Sequence, residues 1–552
     1  MTTFEYWLEK TADNEAINAE LRAIADNPRE IEERFSEGLE FGTGGLRGII
    51  GAGTNRMNIY TVARATAGFA SFLKKHFASP SAVISYDSRN YSEEFARVTA
   101  EVFASEGVKA YIFDRLMPTP VCSYAVRELG ASGGVMVTAS HNPKIYNGYK
   151  AYGPDGCQFA DSGAVTAEIE AIEDYFSVKH GDFDALKKEE MIEYVPERIY
   201  ENFLKAAESL ALMEGGKKNI RIVYTPLNGT GLLPVTEVLR RRGFGSVFVV
   251  PEQEKPDGNF TTCPYPNPEE RAALKLAVEL GEKINADIVI ATDPDCDRVG
   301  IAAPDTHGEF VLYTGNETAM MLLEYMFSIK VAAGTLPTAP AIITTIVTAG
   351  LCGDIARTYG SAVYEVLTGF KHIGDRIAQM ETSGALGDFV LGFEESYGYL
   401  AGTYVRDKDA VSAAMLLAEM CEYYHNKGMT LDAVLEGIYQ KYGYYKSRLV
   451  NIAFSGAGAL KAMGAKMAAL RKNPPAKLGD YRVLEVKDYI GGLEGLPPSD
   501  VIAFYFEDGK VLCRPSGTEP KLKIYTMGKG AESVALSTKL QKIETSLAGF
   551  FS

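Results

Sequence analysis

The sequence predicts an α/β protein with three successive α/β domains, whose sheets are mixed or parallel, and a C-terminal α+β domain. The chain has 552 residues, which is too long for a single hydrophobic core. Predicted strands and helices alternate between residues 82 and 393, and this alternation restarts twice. Beyond residue 443 the alternation gives way to short strands and two helices. We therefore expect domains over residues 1–205, 206–310, 311–442 and 443–552.

The first predicted domain begins with charged helical sequence and a glycine-rich loop at 41–48. Buried strands are predicted at 82–86, 109–113 and 134–138, and helices at 92–105 and 121–129. Strands that alternate with helices in this way are typical of a sheet covered by helices.

The same alternation predicts the elements of the second and third domains. In the second domain, strands are predicted at 220–224, 246–250 and 288–291, and a helix at 235–242. In the third, strands are predicted at 341–347, 362–366 and 388–393, with helices near 349–359 and after residue 371.

The fourth domain differs in its pattern. A strand is predicted at 448–454, a helix at 460–471, several short strands between 481 and 525, and a final helix. Proline pairs at 474–475 and 497–498 mark loops inside this domain.

Composition excludes several classes of function. The net charge of −16 disfavours nucleic acid or an anionic membrane as the main partner. The seven cysteines are scattered and never spaced as C-x-x-C, which predicts neither a disulfide framework nor a zinc site. The sequence shows no secretory signal and no apolar run long enough to span a bilayer. We expect a cytoplasmic protein that acts on small molecules and is a monomer or a weak dimer.

A serine loop follows the last predicted strand of the first domain. Ser140 comes directly after that strand, with His141 beside it and Lys150 ten residues further on. A serine hydroxyl becomes a useful nucleophile when a base, a cation or a metal stabilises the developing charge. Ligands also gather beyond the carboxyl ends of strands in open α/β sheets. The alternative is a structural turn stabilised by the side chains of Ser140 and Asn142.

An aspartate loop follows the corresponding strand of the second domain. Asp293, Asp295 and Asp297 alternate along it, and such carboxylates repel one another unless a cation lies among them. A calcium EF-hand is excluded, because Arg298 stands where that loop needs glycine and Pro304 where it needs glutamate. The pattern favours Mg²⁺ of the kind used in phosphoryl transfer, with a solvated acidic turn as the alternative.

Three further loops carry polar side chains that suit a sugar phosphate. The segment 367–372 and the segment 394–398 lie in the third domain, and the latter places a carboxylate and a hydroxyl where they could bind sugar hydroxyls. An isolated Glu-Glu-Ser could equally place Glu395 as a helix cap or a lysine partner. The segment 514–521 combines a guanidinium, two hydroxyls and a glycine, which suits a phosphate. A plain Ser-Gly turn is the alternative.

Taken together, these loops resemble the α-D-phosphohexomutase family of phosphoglucomutases and phosphomannomutases. The phosphoserine loop matches 138–143, the metal loop 293–298, the sugar loop 394–396 and the phosphate loop 514–518, in family order over nearly the whole chain. The resemblance implies four domains around a central active-site cleft. It also implies a phosphorylated Ser140, Mg²⁺ as cofactor and glucose 1,6-bisphosphate as primer and intermediate.

The resemblance also implies the roles of individual residues. The catalytic residues would be Ser140, Arg47, Lys150, His141 and Lys371. Mg²⁺ would be held by Ser140, through its phosphoryl oxygen, and by Asp293, Asp295 and Asp297. The substrate would be bound by Glu394, Ser396, Thr368, Gly369, His372, Arg298, Arg514, Ser516, Gly517, Thr518 and Lys523.

Some positions depart from the family pattern and bear on the choice of sugar. Phe393 stands where many members have glycine, and Asn228 replaces a histidine. With Tyr397, Phe393 resembles a longer bacterial phosphoglucomutase branch close to enzymes of pentose phosphates, whereas Glu-Glu-Ser resembles glucose-preferring members. We expect interconversion of glucose 1-phosphate and glucose 6-phosphate. The alternatives are a phosphopentomutase, a phosphomannomutase, a phosphatase or bisphosphate-forming enzyme, and a non-catalytic sugar-phosphate binding protein.

Overall fold

The structure is a computed structural model that describes residues 1–42, 44–159, 162–348, 350–454, 458–516 and 521–551. Its N-terminal region starts with three short helices that pack around the buried Trp7. The elements of this region are α1 (Thr3–Lys10), α2 (Glu15–Ala23), α3 (Pro28–Phe35), β1 (Gly45–Ile49), α4 (Ile59–His76), β2 (Ser81–Tyr86), α5 (Ser92–Ser105), β3 (Lys109–Ile112), α6 (Thr119–Glu128), β4 (Gly133–Val137), β5 (Tyr146–Tyr152), α7 (Gly163–Glu170), α8 (Phe183–Lys188), β6 (Ile192–Tyr194) and α9 (Glu197–Glu208).

Six of these strands form one mixed sheet in the order β1-β5-β4-β2-β3-β6. Strands β4, β2, β3 and β6 run parallel, whereas β5 is antiparallel to β4 and β1 is antiparallel to β5. Strand β4 is buried along its whole length, as expected for an apolar central strand covered by helices on both faces. Its carboxyl end therefore presents the following loop from a rigid support.

The second region repeats this design in a five-stranded sheet. Its elements are β7 (Ile222–Thr225), α10 (Leu232–Arg241), β8 (Val247–Val249), α11 (Pro251–Glu254), α12 (Arg271–Ile284), β9 (Ile288–Thr292), β10 (Val299–Pro304) and β11 (Phe310–Leu312). The strand order is β11-β10-β9-β7-β8, with β9 parallel to β7 and β10 antiparallel to β9. Strand β9, like β4, is buried throughout and ends at a loop that leads into an antiparallel strand.

The third region also alternates strands with helices. Its elements are α13 (Gly315–Ala332), β12 (Ala341–Thr345), α14 (Gly350–Thr358), β13 (Ala362–Val366), α15 (Phe370–Thr382), a short 3₁₀ turn (Leu386–Asp388), β14 (Phe389–Glu394), β15 (Gly398–Leu400), α16 (Ala410–His425) and α17 (Leu431–Tyr442). Strand β12 lies between β13 and β14 and is parallel to β13. Capping side chains define two helix starts, Thr314 for α13 and Asp409 for α16.

The C-terminal region is an antiparallel sheet with helices on one face. It contains β16 (Tyr444–Ala453), α18 (Ala459–Lys472), β17 (Lys477–Leu478), β18 (Tyr481–Arg482), β19 (Glu485–Asp488), β20 (Ile502–Phe506), β21 (Gly509–Pro515), β22 (Lys521–Gly530) and α19 (Ser533–Ala548). The main strand order is β16-β22-β21-β20-β19. Apolar residues of α18 and α19 pack with one face of this sheet as a separate core.

The chain forms two compact units. The first unit contains Met1–Leu312, Phe370–Phe389 and Ser396–Lys427, and the second contains Tyr313–Gly369, Val390–Glu395 and Gly428–Ser552. Helices α15 and α16 of the third region therefore belong to the first unit, whereas β12 and β13 belong to the second.

The predicted fold class is confirmed, and the predicted strands and helices fall within a few residues of those observed. The differences are elements that the alternating pattern did not predict: the antiparallel strands β1, β5 and β10, and several long helices, among them α4, α12, α13 and α16. Strands β5 and β10 follow the serine and aspartate loops directly, so each loop joins a central strand to its antiparallel neighbour. Within the residues that the structure describes, every helix is too short or too polar to cross a bilayer.

Candidate active site

Ser140 lies three residues beyond the end of β4 and adopts a left-handed backbone conformation, with φ of 52°. Such a conformation costs a residue with a Cβ about 1–3 kcal/mol, so the surrounding contacts must hold it. The Ser140 amide donates to Thr138 Oγ1 at 2.8 Å. Its hydroxyl donates to Asp293 Oδ2 at 2.6 Å and lies 3.3 Å from His141 Nδ1. The predicted nucleophile and the first predicted metal ligand are therefore in direct contact.

The aspartate loop curls tightly after β9. Cys296 has a φ of 52°, and Asp293 Oδ1 accepts hydrogen bonds from the amides of Asp297 and Arg298 at 3.1 and 2.9 Å. The turn brings together one carboxylate oxygen each from Asp293, Asp295 and Asp297, and these oxygens lie within 4.8 Å of one another. All three side chains are buried, so the alternative of a solvated acidic turn is wrong.

This cluster fits a hard divalent cation. Asp295 Oδ1 and Asp297 Oδ1 are buried and accept no hydrogen bond from any described residue. A buried carboxylate oxygen without a partner is costly, and a cation would satisfy both. Carboxylate oxygens with room for water and a phosphoryl oxygen are a donor set that suits Mg²⁺.

Two lysines partly neutralise the negative charge of Asp295 and Asp297. Lys150 Nζ donates to Asp295 Oδ2 at 2.7 Å and to Asp297 Oδ2 at 2.9 Å, and Lys408 Nζ lies 3.2 Å from the same Asp297 oxygen. Asp295 Oδ2 also accepts from Thr119 Oγ1 at 2.9 Å. The second oxygens of Asp295 and Asp297 are thus held by protein donors, and this orients the first oxygens.

The carboxylates differ in proton affinity because of these contacts. Burial raises the pKa of Asp293 well above its usual value, and the charges of Asp295 and Asp297 add to this effect. Burial also acts to raise the pKa of Asp295, but Lys150 outweighs it and the net shift is downward. The pKa of Asp297 is lowered by Lys150 and Lys408 against burial and the charge of Asp295. Asp293 is therefore the carboxylate of the cluster with the highest proton affinity.

Three further predicted residues, Arg47, His141 and Arg298, lie near Ser140 and its loop. Arg47 is on β1, opposite Gly148 of β5, and donates to Asn142 of the serine loop at 3.4 Å. Arg298 donates to Glu269 at 3.2 Å and to the carbonyl of Ser396 at 3.1 Å. Burial, together with Arg298 and Arg47, lowers the pKa of His141 well below its usual value, so this imidazole is neutral near pH 7.

The predicted site residues between 368 and 372 belong to different units. Thr368 and Gly369 lie in the second unit just after β13, and the φ of +112° at Gly369 is one that glycine adopts readily. Lys371 and His372 lie in the first turn of α15, which belongs to the first unit.

The sugar loop begins at the end of β14. Glu394 is buried at the last position of that strand, and Glu395 accepts a hydrogen bond from Thr345 at 3.3 Å. Ser396 belongs to the first unit, where its carbonyl accepts the bond from Arg298.

The phosphate loop begins at the end of β21. Arg514 and Lys523 are opposite each other on β21 and β22, and the amide of Ser516 donates to the carbonyl of Lys521 at 2.7 Å. Gly517 and Thr518 lie outside the described residues. The pKa of Tyr525 is raised by burial first and by Glu395 and Glu394, while a hydrogen bond from Arg514 lowers it. Tyr525 therefore lies between the sugar loop and the start of the phosphate loop within the second unit.

Sequence reasoning missed several residues of the site. Lys408 and Thr119 contact the aspartates, Tyr525 contacts Arg514, and Arg89 contacts the backbone of the serine loop. The run Arg406-Asp407-Lys408-Asp409, a dense set of charges just before a helix, was a usable signal for Lys408. The other three have no local sequence signature, because each acts across a long stretch of chain.

Comparisons with known protein families match all four regions. Residues 38–176, 200–308 and 314–442 match alpha/beta/alpha domains I, II and III of the phosphoglucomutase/phosphomannomutase family, and residues 449–537 match its C-terminal domain.

Individual relatives agree with this result. The chain is 35% identical over 537 residues to the phosphoglucomutase of Staphylococcus aureus strain USA300, which covers 94% of each chain. It is 35% identical over 509 residues to the phosphoglucomutase of Staphylococcus haemolyticus strain JCSC1435, covering 90% of this chain and 91% of that one. The fold is similar to the open form of the Paramecium phosphoprotein parafusin, a phosphoglucomutase, with a TM-score of 0.70, 16% identity and coverage of 93% and 96%.

Proposed function

The chain belongs to the phosphoglucomutase/phosphomannomutase family, and from this premise we propose that it interconverts glucose 1-phosphate and glucose 6-phosphate through a phosphorylated Ser140. Membership of this family makes it an enzyme of the isomerase class that transfers a phosphoryl group within a sugar phosphate. Glucose is the proposed sugar because both Staphylococcus relatives are phosphoglucomutases.

One observation carries the proposed chemistry. The Ser140 hydroxyl lies 2.6 Å from a carboxylate of a buried three-aspartate cluster, two of whose oxygens have no hydrogen-bond partner in the described part of the chain. A phosphoryl group on Ser140 would place its oxygens beside that cluster. Phosphoryl transfer depends mainly on positioning and on stabilisation of charge, and this arrangement supports both.

In the first half of the proposed reaction, Ser140 carries the phosphoryl group. The 6-hydroxyl of glucose 1-phosphate attacks the phosphorus and gives its proton to a base of the enzyme. The bond to Ser140 Oγ breaks, and Ser140 Oγ takes up a proton. The product is glucose 1,6-bisphosphate bound to the dephosphorylated enzyme. The neutral His141, 3.3 Å from Ser140 Oγ, is one candidate for moving a proton at this atom.

In the second half, the bisphosphate turns so that its 1-phosphate faces Ser140. Ser140 Oγ attacks that phosphorus and loses its proton, the bond to sugar O1 breaks, and O1 takes up a proton. Glucose 6-phosphate leaves, and the phosphoserine is restored. Atoms and charge balance over the cycle, and a trace of glucose 1,6-bisphosphate primes any enzyme that lacks the phosphate.

Charge near the transferring group is controlled by residues of the first unit. Bound Mg²⁺, held by Asp293, Asp295, Asp297 and a phosphoryl oxygen, would supply Lewis-acid stabilisation of the developing negative charge. Lys150 and Lys408 hold one carboxylate oxygen of Asp295 and of Asp297, which would leave the other oxygen of each to a cation. Arg47 and Arg298 supply further positive charge close to the serine loop.

Substrate recognition is assigned to the remaining predicted residues. Arg514, Ser516, Gly517, Thr518 and Lys523 would hold the phosphate that does not react, in either orientation of the sugar. Glu394 and Ser396 would bind sugar hydroxyls, while Thr368, Gly369, Lys371 and His372 would contact the substrate beside them.

A substrate panel tests this function. Glucose, mannose and ribose 1-phosphates are supplied to the wild type, Ser140→Ala and the control Ser209→Ala, with Mg²⁺ and the matching bisphosphate. Ser209 is suitable as a control because its hydroxyl is exposed and, among the described residues, donates to the carbonyl of Ala206 alone. We expect glucose 1-phosphate to react fastest, Ser140→Ala to lose at least about 10³-fold in kcat, and Ser209→Ala to match the wild type.

Other outcomes of the panel discriminate among the alternatives. Faster conversion of mannose or ribose 1-phosphate would contradict glucose as the substrate but keep the reaction. Release of inorganic phosphate in place of the isomer would indicate a phosphatase. Binding without turnover of any sugar would indicate a non-catalytic binding protein.

A further inference from the structure

Arg89 is a buried arginine that none of the proposed catalytic steps uses. It follows β2, belongs to the first unit, and is only 3% exposed. Its guanidinium donates to the carbonyls of Ser140, Asn142 (2.6 Å), Pro143 (3.1 Å) and Tyr146 (3.3 Å), all of which belong to the serine loop or the start of β5. Because Arg89 donates to four backbone carbonyls of this segment, it is built into the loop.

The contacts of Arg89 form a closed ring around Ser140. Asp87 Oδ2 lies 3.3 Å from Arg89 Nε and accepts from Thr138 Oγ1 at 2.6 Å. Thr138 Oγ1 in turn accepts from the amide of Ser140 at 2.8 Å. The amide and the carbonyl of Ser140 are therefore both held by the Asp87 and Arg89 pair, one through Thr138 and the other directly.

We infer that Arg89 is a positioning residue for phosphoryl transfer, which holds the backbone of Ser140 so that its Oγ points at the aspartate cluster. This inference rests on the proposed function of Ser140. The left-handed conformation of Ser140 is the feature that needs support, because a residue with a Cβ does not adopt it readily. If the ring opened, the Ser140 backbone would be free to relax and Oγ would move away from Asp293.

Only arginine has the shape for these contacts. The two terminal nitrogens of its planar fork donate to the four carbonyls, while Nε lies 3.3 Å from the Asp87 carboxylate as an ion pair that is not a hydrogen bond. Lysine keeps the charge but offers three donors from a single nitrogen, so it could not reach both sides of the loop. The Phe260 ring, centred 4.9 Å from Arg89 Cζ, supports the guanidinium on another side.

The test compares Arg89→Lys with the control Arg115→Lys. Arg115 is a half-exposed arginine paired with Glu197 at 2.8 Å, away from the serine loop. We expect Arg89→Lys to lower kcat by about 100-fold, because moving a reacting atom by about 1 Å can cost that much in rate. The KM for glucose 1-phosphate should stay within about threefold of the wild type, and the ³¹P resonance of the phosphoserine should shift. Arg115→Lys should change neither.

A second pair of variants covers the case in which Arg89→Lys does not fold. Thr138→Val opens the ring at its other link, whereas Thr138→Ser keeps the hydroxyl. We expect Thr138→Val to lower kcat at least about tenfold at unchanged KM and Thr138→Ser to restore it.

Several results would overturn the inference. A folded Arg89→Lys with kcat within twofold of the wild type would do so, as would an effect confined to KM or to thermal stability. If Arg89→Lys does not fold, equal kcat values for Thr138→Val and Thr138→Ser would have the same consequence. A wild type without mutase activity would overturn the proposed function and this inference together, whereas an active wild type with unaffected variants would overturn the inference alone.

Discussion

The first unit and the second unit present their candidate site residues in different ways. In the first unit, Ser140 and the three aspartates are buried and bonded to one another or to buried lysines. In the second unit, Arg514 and Ser516 are only half-buried, at the end of one strand of an antiparallel sheet. The difference shows that the proposed reacting centre is held by buried polar contacts, whereas the residues proposed to bind the distal phosphate keep a solvent-accessible face.

This contrast predicts different kinetic consequences. Damage to the buried centre should lower kcat, since the interactions lost there are those of the transition state. Damage to the half-buried phosphate loop should raise KM, because that phosphate is bound equally in the ground state and the transition state.

The largest effect is expected from removal of the metal. Treatment with EDTA should abolish turnover and Mg²⁺ should restore it, because the aspartate cluster has unsatisfied buried oxygens that fit a cation. Mg²⁺ at 100 times its Kd should also stabilise the folded wild type by about 2.7 kcal/mol, measured as a rise in Tm. This rise should be absent in Asp297→Asn.

The matched control for the metal test is Asp480→Asn, since Asp480 is a highly exposed aspartate remote in sequence from the cluster. It should show the same Mg²⁺-dependent rise in Tm as the wild type. Full activity after complete chelation would remove the metal from the reaction and weaken the contrast between the units.

A smaller effect is expected from Arg514→Ala. Loss of a charged hydrogen bond to phosphate costs about 1.5–3 kcal/mol, so KM should rise by about 10-fold to 150-fold while kcat changes little. Arg482→Ala is the control, because Arg482 is an exposed arginine of the same unit. A fall in kcat at constant KM would mean that Arg514 acts on the transferring phosphoryl group, which contradicts the division between the two units.

The smallest effect is expected from Tyr525→Phe. Burial raises the pKa of Tyr525, so its hydroxyl is neutral at pH 7, and Arg514 lies close enough to act against this rise. We expect the hydroxyl to orient Arg514, so its removal should cost about 1 kcal/mol of substrate binding and raise KM about fivefold at constant kcat. Steady-state kinetics with glucose 1-phosphate measures this effect, and an unchanged KM would separate Tyr525 from substrate binding.

Much of the site could be predicted from the sequence because its loops follow buried strands. The apolar runs of β4 and β9 are short and end at polar loops, so periodicity places Ser140 and Asp293 correctly at strand ends. The antiparallel strand β5 was not predicted, because Gly148 and Lys150 interrupt its apolar pattern. Its Lys150 is buried only because Asp295 and Asp297 neutralise it.

The contacts that cross long stretches of chain were beyond sequence reasoning. Lys408 reaches Asp297, and Arg89 reaches Ser140, without any local motif that links the partners. Charged side chains are mostly exposed, so sequence reasoning assigns them to the surface. It therefore misplaces a buried arginine or lysine unless the partner that neutralises its charge is known. The domain bounds and the roles of all the predicted site residues, Gly517 and Thr518 included, stay predictions.

The central claim, that Ser140 carries the phosphoryl group between substrate and product, is tested most directly by label transfer. The enzyme is incubated with glucose 1,6-bisphosphate labelled in its phosphates, freed of ligand, digested and analysed by mass spectrometry, and a second portion is chased with unlabelled glucose 1-phosphate. The account predicts about one label per chain, on Ser140, that moves to the sugar phosphate within a single turnover. A label on another residue, or one that the substrate does not remove, would contradict it.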